Sequence, residues 1–429
     1  MPDKFQASKT FKKHYKHKMR RAGFSIVMLV AFFIADLIFY RAFKDVIRHL
    51  QSGVQRWLSI LYWTVPALLL LLFVYGFFIS PETATPRFKK ILGVSFMLIY
   101  TGKLVGAIVF LLGNGLNILK NASLKAIQPS KTDPILSRSE FISKTALAFG
   151  AAQFGILTQG MLWGAYDYRV RKVTLHLKGL PKAFDGMTLG QLSDIHSGSF
   201  YNKKAVQGGV KMLLDEKPDL IFFTGDLVND KATELQEYFS VFEKVKAPLG
   251  VYSTLGNHDY GDYAAWSSPQ AKVQNLQNLI KGHELLGWDL LMDENRILEL
   301  NGEKLGILGV QNWGTGGFVQ KGDLQKALKG TEEINTKLLL SHDPTHWRAQ
   351  VLGKTDIDAV FSGHTHGMQF GVEIPGFRWS PSQYVYKEWA GLYEENGQQL
   401  YVNRGFGFLG YPGRVGILPE ITIFNLKSA

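Results

Sequence analysis

The sequence predicts two parts of different structural class, an α-helical membrane region followed by a layered α/β domain. Long apolar runs occupy much of the first 165 residues, and about 20 consecutive apolar residues suffice to cross a bilayer as a helix. From Arg171 onward, short β-rich runs alternate with helical stretches, a pattern typical of an α/β domain. We therefore expect a basic tail at 1–22, a transmembrane region at 23–165 and an α/β domain at 171–429.

The charge distribution supports the same division. Residues 1–170 contain 22 Lys or Arg and 7 Asp or Glu, whereas the remaining residues contain 26 and 29. A nucleic-acid-binding protein would carry its basic patch on the folded domain, so we expect no nucleic-acid partner. A basic excess confined to the apolar half is typical of membrane topology signals.

The expected spans lie at about 23–40, 57–79 and 91–112, and a weaker fourth candidate lies at 141–163. The fourth segment is compatible with a span, a re-entrant piece or a surface-lying helix. A basic tail predicts a cytoplasmic N-terminus. Four spans would then return the α/β domain to the cytoplasm and three would leave it outside, so its side of the membrane stays open. We expect a multi-pass protein integral to the inner cell membrane.

Two charged residues interrupt the apolar runs, Asp36 in the first and Lys103 in the third. Charges inside a membrane are costly unless they are paired or face a polar interior. We favour the interpretation that each lies near a span end and reaches the interface. Pairing of the two with each other is the alternative.

The α/β domain is predicted from nine short β-rich runs and three helical segments. We expect helices near 203–216, 232–246 and 269–286. The expected strands are Val173–Leu177, Met187–Ser193, Leu220–Thr224, Gly250–Leu255, Leu305–Val310, Lys337–Ser341, Asp358–Ser362, Leu400–Asn403 and Ile421–Phe424.

Five polar clusters follow predicted strands at their carboxyl ends. In open α/β sheets, binding sites form outside these ends, so the five clusters are expected to converge on one edge. They are Asp194-Ile195-His196, Gly225-Asp226, Gly256-Asn257-His258-Asp259, Ser341-His342-Asp343 and Gly363-His364-Thr365-His366-Gly367.

The donor types in these clusters indicate a metal centre. The chain contains no cysteine, so any metal must be held by nitrogen and oxygen atoms, which favours Mn, Fe, Zn or Mg. An Asp after Gly can use both carboxylate oxygens and bridge two ions. Two cations about 3.5–4 Å apart would clamp a phosphoryl group and generate hydroxide for in-line attack.

The ordered series of clusters resembles the calcineurin-like metallophosphoesterases over residues 186–370. The subgroup that it resembles is membrane-tethered, similar to transmembrane proteins with a metallophosphoesterase domain and to YkuE-type phosphoesterases. The resemblance implies a four-layer α/β/β/α sandwich with two divalent metal ions (Mn, Fe or Zn). It further implies a first metal site made of Asp194, His196, Asp226 and His366, and a second made of Asp226, Asn257, His342 and His364.

The same resemblance assigns His258 to catalysis as a non-ligand that protonates the leaving oxygen. Asp259 is a candidate for orienting it, and Asn229 and Asp230 receive no role. The implied function is a membrane-bound metal-dependent phosphoric ester hydrolase that cleaves a phosphoester or pyrophosphate bond. Its expected substrate is a phosphorylated small molecule or a lipid. The alternative is a catalytically silent membrane sensor or scaffold.

Glycine and aromatic residues alternate after the histidine pair, at 367–379 and 404–414. One interpretation is an apolar rim around the site, with Arg404 or Arg414 reaching a phosphate. The other is that the aromatic side chains belong to the core of the second sheet and the arginines are solvated.

Overall fold

A computed structural model describes residues 28–75, 86–127 and 135–429. The expected basic tail, 1–22, lies outside these residues. The chain divides into an N-terminal unit, Met1–Thr158, and a C-terminal unit, Gln159–Ala429.

The described part of the N-terminal unit is helical. Helix α1 covers residues 28–47, and three more helices follow, α2 (Ser52–Val74), α3 (Pro86–Ile127) and α4 (Ile135–Leu162). Within the described residues, three stretches are long and apolar enough to cross a membrane: Ser52–Val74, Phe88–Leu116 and Ser139–Tyr166. Helix α3 continues to Ile127, well past the end of the expected span at 91–112.

Asp36 and Lys103 are both buried, with 2% and 9% of their surface exposed, so the favoured interface interpretation is wrong. The Lys103 ammonium contacts the Asp36 carboxylate directly. The Tyr100 hydroxyl donates to Asp36 Oδ2 over 2.9 Å, and the Tyr62 hydroxyl donates to the Asp36 carbonyl over 2.8 Å. Pairing with complementary charges and hydroxyl groups is what makes buried ions tolerable in an apolar surrounding.

The C-terminal unit contains two six-stranded sheets and a separate hairpin. The first sheet has the order β1-β14-β2-β3-β4-β5, and the second β12-β13-β9-β8-β7-β6. Strands of the first sheet are β1 (Arg169–Leu177), β2 (Thr188–Leu192), β3 (Leu220–Thr224), β4 (Val251–Thr254), β5 (Asp289–Leu290) and β14 (Glu420–Ser428). Strands of the second sheet are β6 (Glu294–Leu300), β7 (Glu303–Gly309), β8 (Lys337–Leu340), β9 (Ala359–Ser362), β12 (Gly391–Glu395) and β13 (Gln398–Val402), and the hairpin is β10 (Val372–Ile374) with β11 (Phe377–Trp379).

The central strands are buried on both faces, which produces the expected four layers. In β3, Leu220 and Phe222 join the cluster between the two sheets, whereas Ile221 and Phe223 join the cluster beneath the helices. The second sheet repeats this alternation, since Leu339 faces a separate outer cluster. Successive side chains of a strand point to opposite faces, so each sheet is covered twice. This arrangement of mixed α/β sheets is the four-layer sandwich that the resemblance implies.

Two of the three predicted helices agree with the structure. Helix α5 (Lys203–Asp215) begins after Asn202, whose side chain accepts from Ala205 N, and α7 (Pro269–Leu286) begins after Ser268. Both residues are favourable N-caps. The predicted helix at 232–246 is wrong, because that segment forms a 3₁₀ turn, Ala232–Leu235, and the single turn α6 (Phe239–Phe242). The short helix α8 (Leu324–Leu328) follows β7.

Candidate metal centre

The loops after β2, β3, β4, β8 and β9 carry the five polar clusters. These strands are neighbours in the middle of the two sheets and run parallel within each, so their carboxyl ends meet at one edge. Two groups of buried side chains lie close enough to hold a metal ion, the first containing Asp194, His196 and His366 and the second Asp194, Asp226 and His342.

The first group converges through its imidazole Nε2 atoms. His196 Nε2 lies 3.1 Å from His366 Nε2, and His366 Nε2 lies 3.1 Å from Asp194 Oδ1. Asp194 also accepts from the backbone N–H of His364 over 3.0 Å, which ties the loop after β9 to the loop after β2. One carboxylate and two imidazoles thus face a common point.

Asp226 lies between the two groups. Its Oδ2 atom is 3.5 Å from His196 Nε2 and 3.2 Å from His342 Nε2. His342 Nδ1 lies 2.7 Å from the Thr224 carbonyl, which only accepts, so Nδ1 must carry the proton. His342 Nε2 finds no hydrogen-bond partner among the described residues, and it is the atom that faces Asp226. A backbone acceptor that fixes the tautomer in this way is typical of metal-binding histidines.

Asn257 and His364 form the far side of the second group. His364 Nδ1 lies 2.8 Å from Asn257 Oδ1, and its Nε2 lies 3.0 Å from the Tyr386 hydroxyl. The rings of His342 and His364 are 5.2 Å apart, measured between centroids. The structure therefore brings all seven predicted ligands to one edge.

Several of these residues adopt an unusual backbone conformation. Among the described non-glycine residues with positive φ are five of the predicted ligands. Residues other than glycine rarely adopt a positive φ angle. The backbone strain that this costs, about 1–3 kcal/mol per residue, is found most often at functional sites. The five are Asp194, His196, Asp226, His364 and His366.

Glycines leave room for the converging carboxylates. A Cβ atom at Gly256 would lie 2.2 Å from Asp226 Oδ1, and one at Gly363 would lie 2.1 Å from Asp194 Oδ2. Both distances are far below van der Waals contact. Any side chain at either position would therefore displace a predicted ligand.

His258 is fixed by a backbone group of Asn229. Its Nδ1 atom lies 2.7 Å from the Asn229 carbonyl, so this nitrogen carries a proton and Nε2 remains for chemistry. The His258 ring lies 5.0 Å from the His196 ring and 4.5 Å from the Tyr263 ring. Its backbone N–H donates to Asp226 Oδ1 over 2.9 Å. Asn229, to which no role was assigned, thus positions His258.

The Asp259 carboxylate forms no hydrogen bond with the His258 imidazole among the described residues, so it does not orient this ring as expected. This buried carboxylate instead accepts from four backbone N–H groups, those of Asp226, Leu227, Val228 and Gly256. The pKa of Asp259 is raised to about 7, mainly because the carboxyl is buried and secondly because the Asp226 carboxylate is nearby. The role of Asp259 is to hold the two loops that carry Asp226 and Asn257.

The electrostatics of the site favour a positive charge at its centre. Burial opposes ionisation of Asp226, but His342 and His258 outweigh it and hold the pKa of this carboxyl well below its usual range. Burial lowers the pKa of His342, yet Asp226 outweighs that effect and raises it to about 10. Burial lowers the pKa of His196 to about 3, which keeps its lone pair available.

The donor set fits divalent cations. Buried carboxylates, imidazoles and one amide oxygen are nitrogen and oxygen donors of the kind that Mn, Fe and Zn accept. A cation between Asp194, Asp226 and the histidines would supply the charge that protonated His342 otherwise provides, since metal binding displaces protons from its ligands.

Arg404 and Arg414 are both buried and their guanidinium groups are held by carboxylates and backbone carbonyls, so the solvated interpretation is wrong and the structure does not support a phosphate contact. Arg404 pairs with Glu420 over 2.6 Å and with Glu373 over 2.7 Å. Arg414 Nη2 donates to the carbonyls of Arg404, Gly405 and Gly407, and lies 3.2 Å from His366 Nδ1. Arg414 therefore packs against the ring of a predicted ligand.

Asp343 belongs to one of the five predicted clusters but received no role there, and it is buried next to the site. Its Oδ1 accepts from the backbone and hydroxyl of Thr345. Its Oδ2 has no hydrogen-bond partner among the described residues and lies 3.6 Å from His364 Nε2. The signal available in the sequence was its position directly after His342.

Comparison with known proteins agrees with this geometry. Residues 187–368 match the family model described as "Calcineurin-like phosphoesterase", and residues 19–165 match "Probable Calcineurin-like phosphoesterase, transmembrane domain". The uncharacterized metallophosphoesterase YkuE of Bacillus subtilis is 30% identical over 305 residues, which cover 68% of this chain and 98% of YkuE. The chain belongs to the calcineurin-like metallophosphoesterases.

One relative of this metallophosphoesterase matches beyond the C-terminal unit. The zebrafish (Danio rerio) transmembrane protein with metallophosphoesterase domain is 28% identical over 389 residues, or 86% of this chain and 81% of that protein. Its Bos taurus counterpart is 28% identical over 277 residues, covering 63% and 60%. The family suggests phosphoesterase activity, and the transmembrane domain indicates membrane association.

Proposed function

We propose that this protein is a membrane-bound phosphoesterase with two metal ions, which hydrolyses a phosphoester or pyrophosphate bond. The position of Asp226 carries the proposal. One oxygen of this carboxylate lies within 3.5 Å of an imidazole nitrogen from each donor group. A carboxylate between two sets of buried nitrogen and oxygen donors suits a bridge between two cations.

The proposed division into two sites is the one that the family resemblance implies, and the contacts described above are compatible with it. Asp194, His196, Asp226 and His366 would hold the first ion. Asp226, Asn257, His342 and His364 would hold the second. When bound, two divalent ions would supply positive charge next to the phosphoryl oxygens and activate a water molecule as the nucleophile.

His258 is proposed to transfer a proton to the leaving oxygen. The Asn229 carbonyl keeps a proton on Nδ1, so a protonated His258 has Nε2–H free to donate. A positioned general acid contributes about 10²–10⁴-fold to the rate. Tyr263 is about half exposed and its ring lies tilted beside this imidazole, where it would limit the entry of water beside the leaving group.

The proposed substrate is a phosphorylated small molecule or a lipid, taken by a multi-pass protein of the inner membrane. Exposed apolar side chains next to the site support a substrate with an apolar part. Tyr263 contacts the amide of Asn257 over 2.9 Å, and Met368 is exposed two residues after His366.

The test is Asp226→Asn, which keeps the size of the side chain and an oxygen for the His258 backbone. We expect loss of both ions and of turnover of an aryl phosphodiester with Mn²⁺. Metal content by elemental analysis and initial rates are the measurements. Asp215→Asn is the matched control, because Asp215 is exposed and pairs only with Lys211 among the described residues. Full activity of Asp226→Asn would contradict the two-metal proposal, and inactivity of the unaltered protein on phosphoesters, pyrophosphates and lipid phosphates would favour a silent scaffold.

A further inference from the structure

The hairpin β10–β11 presents its apolar face to the outside. Val372 pairs with Trp379 and Ile374 pairs with Phe377, so these four side chains share one face of the two-stranded ribbon. Ile374 and Phe377 have 58% and 55% of their surface exposed. A contiguous exposed apolar patch of this kind marks an interaction site.

The opposite face of the hairpin is anchored to the C-terminal unit by charged groups. Glu373 accepts from Arg404 over 2.7 Å and from Arg171 over 2.6 Å. Its cross-strand partner Arg378 lies over the Trp389 ring at 4.9 Å. The usual arrangement, with charges outward and apolar residues inward, is therefore reversed, and the orientation is fixed by ion pairs.

Further exposed side chains, among them an aromatic one, extend the apolar patch beyond the hairpin. The indole of Trp379 donates to the Tyr384 hydroxyl over 3.3 Å. Tyr384 and Val385 are themselves largely exposed. Trp and Tyr are the side chains enriched where a membrane meets water.

The base of the hairpin is connected to the end of a candidate span. The span Ser139–Tyr166 ends within the C-terminal unit, where the Arg414 N–H donates to the Gly160 carbonyl over 3.1 Å. The next residue, Val415, exchanges backbone hydrogen bonds of 2.8 and 2.9 Å with Gln369 and Gly371. Gly371 directly precedes β10, so the chain leaving the bilayer and the hairpin share one hydrogen-bonded segment.

We propose that the apolar face of β10–β11 rests in the interface of the bilayer that holds the spans. Continuity with the span end favours a lipid surface over a protein partner, because Leu162 and Trp163 at that end are also exposed apolar residues. The hairpin follows His366 by six residues in the chain, so this contact would bring the candidate metal centre close to lipid headgroups. The contact does not depend on catalytic activity.

The absence of natural cysteine permits a direct test. Ile374→Cys and Phe377→Cys, each in the full chain, are labelled with the fluorophore NBD and reconstituted into phosphatidylcholine–phosphatidylglycerol vesicles. We expect NBD emission to shift to shorter wavelength and to lose intensity when the acyl chains are brominated. Both side chains are exposed, so their replacement leaves the core intact.

Val273→Cys is the control, because Val273 is comparably exposed at 58% but lies on α7. Its NBD label should keep the emission wavelength and intensity of a water-exposed fluorophore in both kinds of vesicle. Labels at 374 and 377 that behave like the label at 273 would overturn the proposal. A shift to shorter wavelength without quenching by brominated lipid would overturn it as well, since the face would then be covered by protein.

Discussion

His258 and its backbone partner give the first prediction at the scale of single residues. We expect His258→Ala to keep its metal and to lose about 10²–10⁴-fold in kcat, because the general acid is removed while every proposed ligand remains. Metal content and kcat on an aryl phosphodiester are measured together. His176→Ala, a change at an exposed histidine of β1, should alter neither. Loss of metal from His258→Ala would mean that this histidine is a ligand.

Asp343 is expected to orient His364 through the unpartnered oxygen Oδ2. Asp343→Asn keeps an oxygen for Thr345 but replaces the carboxylate near His364 Nε2 with an amide. Carboxylates that orient metal-bound histidines typically contribute 10–100-fold to metal affinity, and we expect a loss of about this size at the second site, measured by titration with Mn²⁺. Asp323→Asn, which changes only the N-cap of α8, is the control. Unchanged affinity at both sites would leave Asp343 with a purely structural role.

The proposed ligands could be found in the sequence because each follows a short apolar strand within four residues. For His196, Asn257 and His364, the expectation that parallel strand ends meet placed the side chains together, and the family resemblance implied their role as ligands. The supporting residues could not be found in this way. Asn229 acts through its carbonyl, and Arg414 reaches His366 across 48 positions, so neither contact leaves a local pattern. The positive φ angles at Asp194 and Asp226 could not be predicted either, because neither position is a glycine.

At the scale of elements, burial decided which strands were predictable. Strands β3, β8 and β9 are buried on both faces, so they read as short apolar runs between turns. The exposed strands β6 and β10 mix polar and apolar residues and were missed. The segment 232–246 has helical composition, yet the Asn275 side chain accepts from Ala232 N and Glu234 accepts from Asn229 N, which favours a compact turn.

The end of α4 gives a prediction about an element. A Cβ at Gly160 would lie 2.5 Å from the Tyr411 hydroxyl and 2.9 Å from the Arg414 carbonyl. Gly160→Leu should therefore displace Arg414, lower stability by about 1–3 kcal/mol and weaken the metal site that contains His366. Thermal unfolding and Mn²⁺ titration are the measurements. Gly155→Leu, where a Cβ meets nothing within 4 Å, is the matched control, and equal behaviour of the two variants would contradict the coupling.

At the scale of the whole molecule, the uneven charge distribution matches the division of the chain. The basic excess lies in the part that matches a transmembrane domain, and the acidic residues that the candidate centre requires lie in the C-terminal unit. The four-layer arrangement followed from the family resemblance and the buried strands. The packing inside the helical region could not be predicted from the sequence. The pairing of Asp36 with Lys103 depends on how the helices pack, and local hydropathy does not encode this.

The Asp36–Lys103 pair tests whether the helical region has a defined interior. Removal of one partner from a buried ion pair costs about 3–5 kcal/mol, whereas replacement of both by apolar residues is often neutral or stabilising. We therefore expect Lys103→Met to lower the free energy of unfolding by about that amount and Asp36→Leu/Lys103→Met to recover most of it. Unfolding by sodium dodecyl sulfate in mixed micelles, followed by tryptophan fluorescence, measures both. Arg56→Met changes a basic residue of α2 as the control. A neutral Lys103→Met would contradict the prediction and show that the ion pair contributes nothing to the stability of the helical region.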